Sequence, residues 1–370
     1  MTCFHPVTMY INNNSDRFCP SWQYYQEKKP CFTNRPNRIK IEVPCGHCLG
    51  CLLDKANMWA TRIALECQNW DEDSNYFITL TYNNKHLPTD KIGRPELRKK
   101  DLQDFMKRLR YYKPGKLYTL KENGEMVKEI KYFACGEYGT NGTKRCHFHL
   151  AIMNLNIPDL KQYKYNEENN YWEYKSKWLQ KIWGKGFVLI ERLNYKSACY
   201  VARYVQKKAG GKPEHREKSN EWWRTLEKDE RNGNLFWKTH YKYLPKPKYD
   251  YPDCRLKEFI TMSKGIAKEN WLNNMDKYKR NGGIYLKIND KVVLKPLPRY
   301  FIKMWEKSDD WEKCYEYKYK RQKIAEEKKL YILSNIDMPN LTDDEKWAKY
   351  LLMKEQLLQR KAAALKRNDL

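Results

Sequence analysis

The chain has 370 residues, too long for one small domain and suited to two or three. Its 72 Lys and Arg against 46 Asp and Glu leave a formal charge of +26, which points to a polyanionic partner, nucleic acid first, because each phosphate contact releases condensed counterions. A hydrophobic content of 41% allows a core, but no stretch reaches the length of a membrane span, and the start, Met1-Thr-Cys-Phe-His, lacks the basic and apolar regions of a secretory signal, so neither a membrane protein nor a secreted one is expected.

Residues 1 to about 40 read as loop, rich in Asn and Pro. Pro44-Cys45-Gly-His-Cys48-Leu-Gly-Cys51 is a tight knuckle leading into a helix over about 50–69. Leu52, Ala56, Trp59, Ile63 and Cys67 share one face of that helix, and Lys55, Arg62 and Glu66 lie off it. Tyr76-Phe-Ile-Thr-Leu-Thr-Tyr82 is apolar and β-branched, a buried strand. Leu102, Phe105, Met106 and Leu109 give an amphipathic helix over 97–112. Lys107, Arg108 and Arg110 on its outer face are candidate DNA contacts. A Lys-rich stretch, 113–128, leads to a strand from Ile130 to Tyr138. The turn Gly139-Thr-Asn-Gly142 follows, since Asn-Gly supplies the positive φ angles of a hairpin. Next come a strand from Arg145 to Met153, a Trp-rich helix over about 170–184, a strand near 186–190 and a helix over 197–208 that Ala209-Gly-Gly211 ends. Residues 212–250 read as a polar stretch, 251–310 as a mixed region and 311–370 as a charged helical tail.

Two elements carry chemistry. In Arg145-Cys-His147-Phe-His149-Leu, residues two apart on a strand point to the same side, so His147 and His149 project together while Phe148 and Leu150 enter the core. Two imidazoles on one face make half of a divalent-metal site, and two exposed histidines are the plain alternative. Glu137 lies on the preceding strand of the same hairpin, where the register can make it a third, carboxylate ligand. In Tyr200-Val-Ala-Arg203-Tyr204-Val-Gln-Lys207-Lys208, the tyrosines stand at i and i+4 on one helix face, with Val201 and Val205 on another. A phenol titrates near 10, so a nucleophilic Tyr needs help, which Lys207 or Lys208 can give. Tyr204, nearest those lysines, is expected to act alone if required. Arg203 and Lys208 are candidate DNA contacts on the same helix.

His-hydrophobic-His followed by a helix with Tyr-x-x-x-Tyr resembles the rolling-circle replication initiators of the HUH endonuclease superfamily. Phe77-Ile-Thr-Leu-Thr81 resembles their first motif, and Lys207 their lysine three residues after a tyrosine. More narrowly, Pro44–Cys51, Trp59-Ala-Thr-Arg62, Cys135-Gly-Glu-Tyr-Gly139 and Ala198–Lys208 resemble the replication initiation proteins of gokushovirus-type microviruses, over about residues 41–210. The resemblance implies an α+β fold with a HUH endonuclease core, a central antiparallel sheet of about five strands with flanking helices, and a mostly helical C-terminal region. It implies a nick at the origin of the double-stranded replicative form, covalent attachment to the 5′ end, a free 3′-hydroxyl and later religation, dependent on Mg²⁺ or Mn²⁺. The expected division is 1–70, Cys-rich; 71–211, nickase core; and 212–370, basic C-terminal region. Expected partners are single-stranded DNA and duplex replicative-form origin DNA, with a host helicase and polymerase as candidates, in the cytoplasm of the bacterial host and without a membrane.

Cys45, Cys48 and Cys51 form C-x2-C-x2-C, three thiolates at a spacing that can ligate a structural Zn²⁺. The fourth ligand is open among His47, Cys31, Cys19, Cys3 and His5. Two other function classes stand beside the nickase: a non-catalytic zinc-knuckle protein that binds single-stranded nucleic acid, and a relaxase or transposase of the same superfamily.

Overall fold

The computed structural model describes residues 3–12, 38–112, 119–120, 126–127, 130–139, 145–167, 171–209, 220–228, 235–243, 255–288 and 291–364. The expected Asn141-Gly142 turn and most of 113–128 lie outside these residues. In chain order the elements are β1 (Val7–Asn12), β2 (Arg38–Val43), α1 (Leu49–Cys67), β3 (Tyr76–Tyr82), α2 (Lys99–Tyr111), β4 (Thr119–Leu120), β5 (Met126–Val127), β6 (Lys131–Tyr138), β7 (Cys146–Met153), β8 (Lys161–Asn166), β9 (Tyr171–Lys175), α3 (Lys177–Trp183), β10 (Gly186–Arg192), α4 (Tyr195–Ala209), β11 (Asn220–Lys228), β12 (Leu235–Tyr243), β13 (Phe259–Met262), α5 (Lys268–Asn281), β14 (Ile284–Ile288), β15 (Lys291–Lys295), α6 (Arg299–Trp305), α7 (Trp311–Ser334) and α8 (Asp343–Ala364). Two compact units result: residues 55–208 with 251–298, and residues 1–54 with 209–250 and 299–370.

The first unit is α+β, as expected. It is built on a seven-stranded sheet in the order β13-β6-β7-β3-β10-β9-β8, antiparallel at every step. That is two strands more than the family resemblance implied. The four strands expected from the sequence are the contiguous centre, β6-β7-β3-β10. Strand alternation gives each of them two faces. One face carries Ile78, Leu80, Phe148, Leu150, Ile152, Val188 and Ile190, packed under Leu102, Phe105, Met106 and Leu109 of α2 and Leu179, Ile182 and Trp183 of α3. Each large apolar side chain so buried contributes roughly 1.5–3 kcal/mol.

Arg108 holds the two covering helices together. Its Nε donates to the Ile182 carbonyl at 2.8 Å and its Nη2 to that of Trp183 at 3.1 Å, the open carbonyls at the end of α3. Gly184 closes α3 with φ at +65°, the left-handed conformation of a helix stop. Gly186 opens β10 where a Cβ would stand 2.2 Å from the Thr81 carbonyl oxygen, so the backbones meet only if the residue is glycine.

The opposite sheet face lies under α1 and α4. Trp59 of α1 rests on Phe133 with ring centroids 5.1 Å apart. Arg62 and Glu66, expected off the buried face, are in fact buried. The segment before α5 crosses α1 there and supplies their partners. Arg62 donates from Nε (3.2 Å) and Nη2 (2.9 Å) to the Ile266 carbonyl. Glu66 accepts from the Ala267 amide, from the Trp70 indole at 3.0 Å and from Lys131 Nζ at 3.2 Å.

Three further expectations change. The helix expected over 170–184 is a strand, β9, followed by the shorter α3, because Ser176 caps the Leu179 amide and starts the helix only there. Between Met153 and the expected helix lies a further strand, β8, which pairs with β9. The polar stretch 212–250 contains the paired strands β11 and β12. The charged tail is helical as expected, in α7 and α8. Among the described residues no helix is long and apolar enough to cross a membrane.

Glu66→Ala removes the acceptor shared by the buried Ala267 amide, the buried Lys131 ammonium and the half-buried Trp70 indole. Urea denaturation should show a loss of roughly 3 to 5 kcal/mol, as for other broken buried ion pairs.

Candidate active site

The register across β6, β7 and β3 assembles the site. Glu137 pairs with His147 and Cys135 with His149, while Thr81 and Thr79 stand opposite the two histidines on the other side. All these side chains share the face away from α2 and α3. Glu137 Oε1 lies 2.6 Å from His147 Nε2 and 3.0 Å from His149 Nε2, and one ligand atom from each residue falls within 4.8 Å of the others.

The outer ring nitrogens have partners of their own. His147 Nδ1 lies 3.2 Å from the Arg145 carbonyl, and His149 Nδ1 lies 3.0 Å from Thr79 Oγ1. With a cation bound, donation from Nδ1 to these oxygens would turn both Nε2 lone pairs toward it, whereas without one Nε2–H donates to Glu137. Three acceptors converging at such distances are stable around a cation, or with protons on Nε2. Two imidazoles and a carboxylate, each offering one ligand atom, form a group that could hold a divalent cation. Glu137 and His149 are buried, whereas His147 keeps partial access to solvent. Burial alone would raise the Glu137 carboxyl pKa, but hydrogen bonds to His147 and His149 outweigh it and hold the group well below the usual carboxylate range.

Helix α4 brings one phenol to this cluster. The Tyr200 ring meets His149 edge-on at 5.3 Å and Phe77 edge-on at 5.9 Å. Ala198, Val201 and Ala202 of α4 are buried. Position 204 follows one turn later on α4, but the side chains of Tyr204, Lys207 and Lys208 lie outside the described residues. Arg203 is exposed on α4. Lys107 and Arg110 are also exposed, on α2, which covers the opposite sheet face. Arg108, on that same helix, is occupied by the α3 carbonyls.

Three features of this face escaped the sequence reading. Thr79 orients His149, and the only signal is a hydroxyl on an otherwise apolar strand. Phe187, opposite Thr81 on β10, is 61% exposed although it sits in an apolar run. Glu191 stands opposite Phe77 on one side and Glu173 on the other and is 5% exposed. Burial, and then the charge of Glu173, raise its pKa from the ordinary 4.5 to about 7, and a hydrogen bond with the Tyr171 phenol offsets this only in part. The same surroundings, burial first and then Glu191, push the Tyr171 phenol up.

The raised Glu191 pKa makes the folded state bind a proton that the unfolded chain releases near 4.5. Its stabilising contribution is full below pH 4.5 and is lost as pH rises through 7, a span of roughly 3 kcal/mol. Glu191→Gln should remove that component. Thermal melts of wild type and variant are expected to diverge between pH 5 and 8, with the variant gaining as pH rises.

Residues 75–209 match a family model for the replication-associated protein ORF2. The chain is 36% identical over 179 residues to Replication-associated protein ORF2 of Spiroplasma virus 4, covering 48% of this chain and 52% of that relative. It is 36% identical over 212 residues to Replication-associated protein VP4 of Bdellovibrio phage phiMH2K, covering 56% and 58%. It is 29% identical over 174 residues to Replication-associated protein ORF4 of Chlamydia phage 1, covering 46% and 39%. The chain thus spans about half the length of the curated relatives it matches. No solved structure matches it. The matched segment runs from β3 to the end of α4 and holds Glu137, His147, His149 and Tyr200, and it is over this segment that the chain is similar to the phage replication-associated proteins.

Proposed function

We propose that this protein acts in the replication of a phage genome and nicks the origin strand, with Tyr200 attacking phosphorus. One observation carries the reading: in the segment shared with replication-associated proteins, a phenol packs directly against one of two histidines that converge on a buried carboxylate.

Glu137, His147 and His149 would hold Mg²⁺ or Mn²⁺, which when bound polarises a phosphodiester oxygen. Thr79 and the Arg145 carbonyl keep the two imidazoles turned toward it. The Tyr200 oxygen forms a bond to phosphorus as the bond to the 3′ oxygen breaks. The phenolic proton ends on that 3′ oxygen. One phosphodiester becomes a 5′-phosphotyrosine ester and a free 3′-hydroxyl, with no net hydrolysis. Attack by a 3′-hydroxyl on the ester reverses the step and religates the strand. Tyr204, one turn on, is the second nucleophile, and Lys207 favours its phenolate.

The DNA path follows the same face. Arg203 and Lys208 meet phosphates, and exposed Phe187 offers a flat surface on which a base can stack beside the nick. Lys107 and Arg110 would touch DNA away from the site. The 3′-hydroxyl is the primer for a host polymerase, with a host helicase opening the duplex replicative form, in the bacterial cytoplasm.

The test is incubation of the full chain with labelled single-stranded origin DNA and Mn²⁺, followed by a denaturing gel. Wild type should yield a covalent adduct. His147→Ala and the double variant Tyr200→Phe/Tyr204→Phe should each reduce it by more than roughly 100-fold while DNA binding persists. DNA binding without any adduct from the metal-loaded wild type would overturn the nickase in favour of a binding protein.

Phe187→Ala should weaken single-stranded DNA binding by roughly 1 to 3 kcal/mol in a fluorescence titration. The adduct rate at saturating DNA should change little.

A further inference from the structure

The second unit holds a second cluster of metal-ligating side chains, with no part in the nicking reaction. Cys3, just ahead of β1, joins Cys45, Cys48 and Cys51, and the four Sγ atoms lie within 4.8 Å of one another. The closest pairs are Cys3–Cys48 at 3.8 Å and Cys45–Cys51 at 4.0 Å. Four sulfurs around one zinc at about 2.3 Å stand about 3.8 Å apart along each tetrahedron edge. A disulfide needs about 2.05 Å, and all four are free thiols.

The backbone around the cluster suits sulfur that carries charge. The amides of His47 and Cys48 donate to Cys45 Sγ at 3.4 and 3.2 Å. The Cys45 amide donates to Cys3 Sγ at 3.2 Å, and the Phe4 amide to Cys48 Sγ at 3.3 Å. Cys48 and Cys51 flank the first residues of α1, whose first turn has no acidic side chain to meet its positive end. Thiolates there supply the missing negative charge.

The surroundings indicate a structural role. Cys3, Phe4 and Cys48 are the buried members of the local apolar cluster, with Leu358 of α8 packed against them. His5 adds an ion pair, 2.6 Å from Glu355 of the same helix. Three buried side chains bury little apolar surface, and small clusters of this kind rely on a staple. Of the other candidates, Cys19 and Cys31 lie outside the described residues, His47 is exposed and His5 is engaged by Glu355, whereas Cys3 Sγ stands within the cluster.

We infer that Cys3, Cys45, Cys48 and Cys51 form a closed, structural Zn²⁺ site that ties the strand-leading segment at residues 3–5 to the start of α1. The three-cysteine spacing is visible in the sequence. The fourth ligand, 42 residues before Cys45, is not.

Full-length protein would be purified without added metal, dialysed against EDTA and assayed for zinc and iron by mass spectrometry. About one zinc per chain is expected in wild type and in His147→Ala. Cys48→Ser should lose it. Replacement by Co²⁺ should give the intense visible bands and sulfur-to-metal charge transfer of a tetrahedral tetrathiolate. Cys3→Ser should weaken the charge transfer, and Cys3→His should shift it while keeping the metal. Absence of stoichiometric zinc, an iron chromophore, cysteines paired as disulfides, or a Cys3→Ser cobalt spectrum equal to wild type would each overturn the assignment. If Cys48→Ser fails to fold, the wild-type metal content and the Cys3→His spectrum still decide.

Discussion

The pairing of Glu137 with His147 across β6 and β7 places every other group at the site, because strand side chains alternate with a period of two. A slip of one residue would send both histidines to the α2–α3 face and bring Phe148, Leu150 and Ile152 out in their place. Those side chains are fully buried against Leu102, Phe105 and Trp183. The apolar core on one sheet face therefore sets the polar geometry on the other. The histidines need no loop to position them, and the ligand oxygen of Glu137 reaches both Nε2 atoms from a rigid neighbouring strand.

Three of the carboxylates that the same unit buries are treated differently. Glu66 is met by the Lys131 ammonium, an indole and a backbone amide. Glu137 is met by two imidazoles, and its pKa falls. Glu191 faces another carboxylate, Glu173, with only the Tyr171 phenol in compensation, and its pKa rises. Burial acts on Glu137 and Glu191 in the same sense, and their partners decide the outcome. Glu191 stands opposite Phe77, the residue on which Tyr200 rests, so this proton-binding carboxyl is built into the same sheet face as the Tyr200 phenol.

The sequence pattern revealed the centre of the sheet and not its edges, and the reason is burial. β3, β6 and β7 are buried along most of their length and β10 is buried on one face, and all four read as apolar runs. β8, Lys-Gln-Tyr-Lys-Tyr-Asn, is exposed along most of its length and looks like a loop, and β13 has only four residues. His147, His149 and Glu137 were legible because a strand period and a hairpin were enough to group them. Thr79 was not, since its role depends on which strand lies beside β7. Arg108 looked like a DNA contact because a basic residue on an amphipathic helix gives no sign that a neighbouring helix ends within its reach. Arg62 and Glu66 were misplaced for a related reason: a helix wheel shows one buried face, and α1 has a second covering at residues 266–267.

Tyr200 depends on a second kind of periodicity. Ala198, Val201 and Ala202 are the buried face of α4, and two of these three are alanines. Small side chains let a helix lie close to what it covers. A phenol between them in sequence can then reach the β3 and β7 side chains while its own ring stays half-buried. Larger residues at 198 and 202 would lift the helix and withdraw the ring from His149. Tyr200 is therefore set by helix packing and the Glu137–His147–His149 cluster by strand register. These two constraints meet at the contact between Tyr200 and His149, where neither element can shift without the cost of exposing its own buried face.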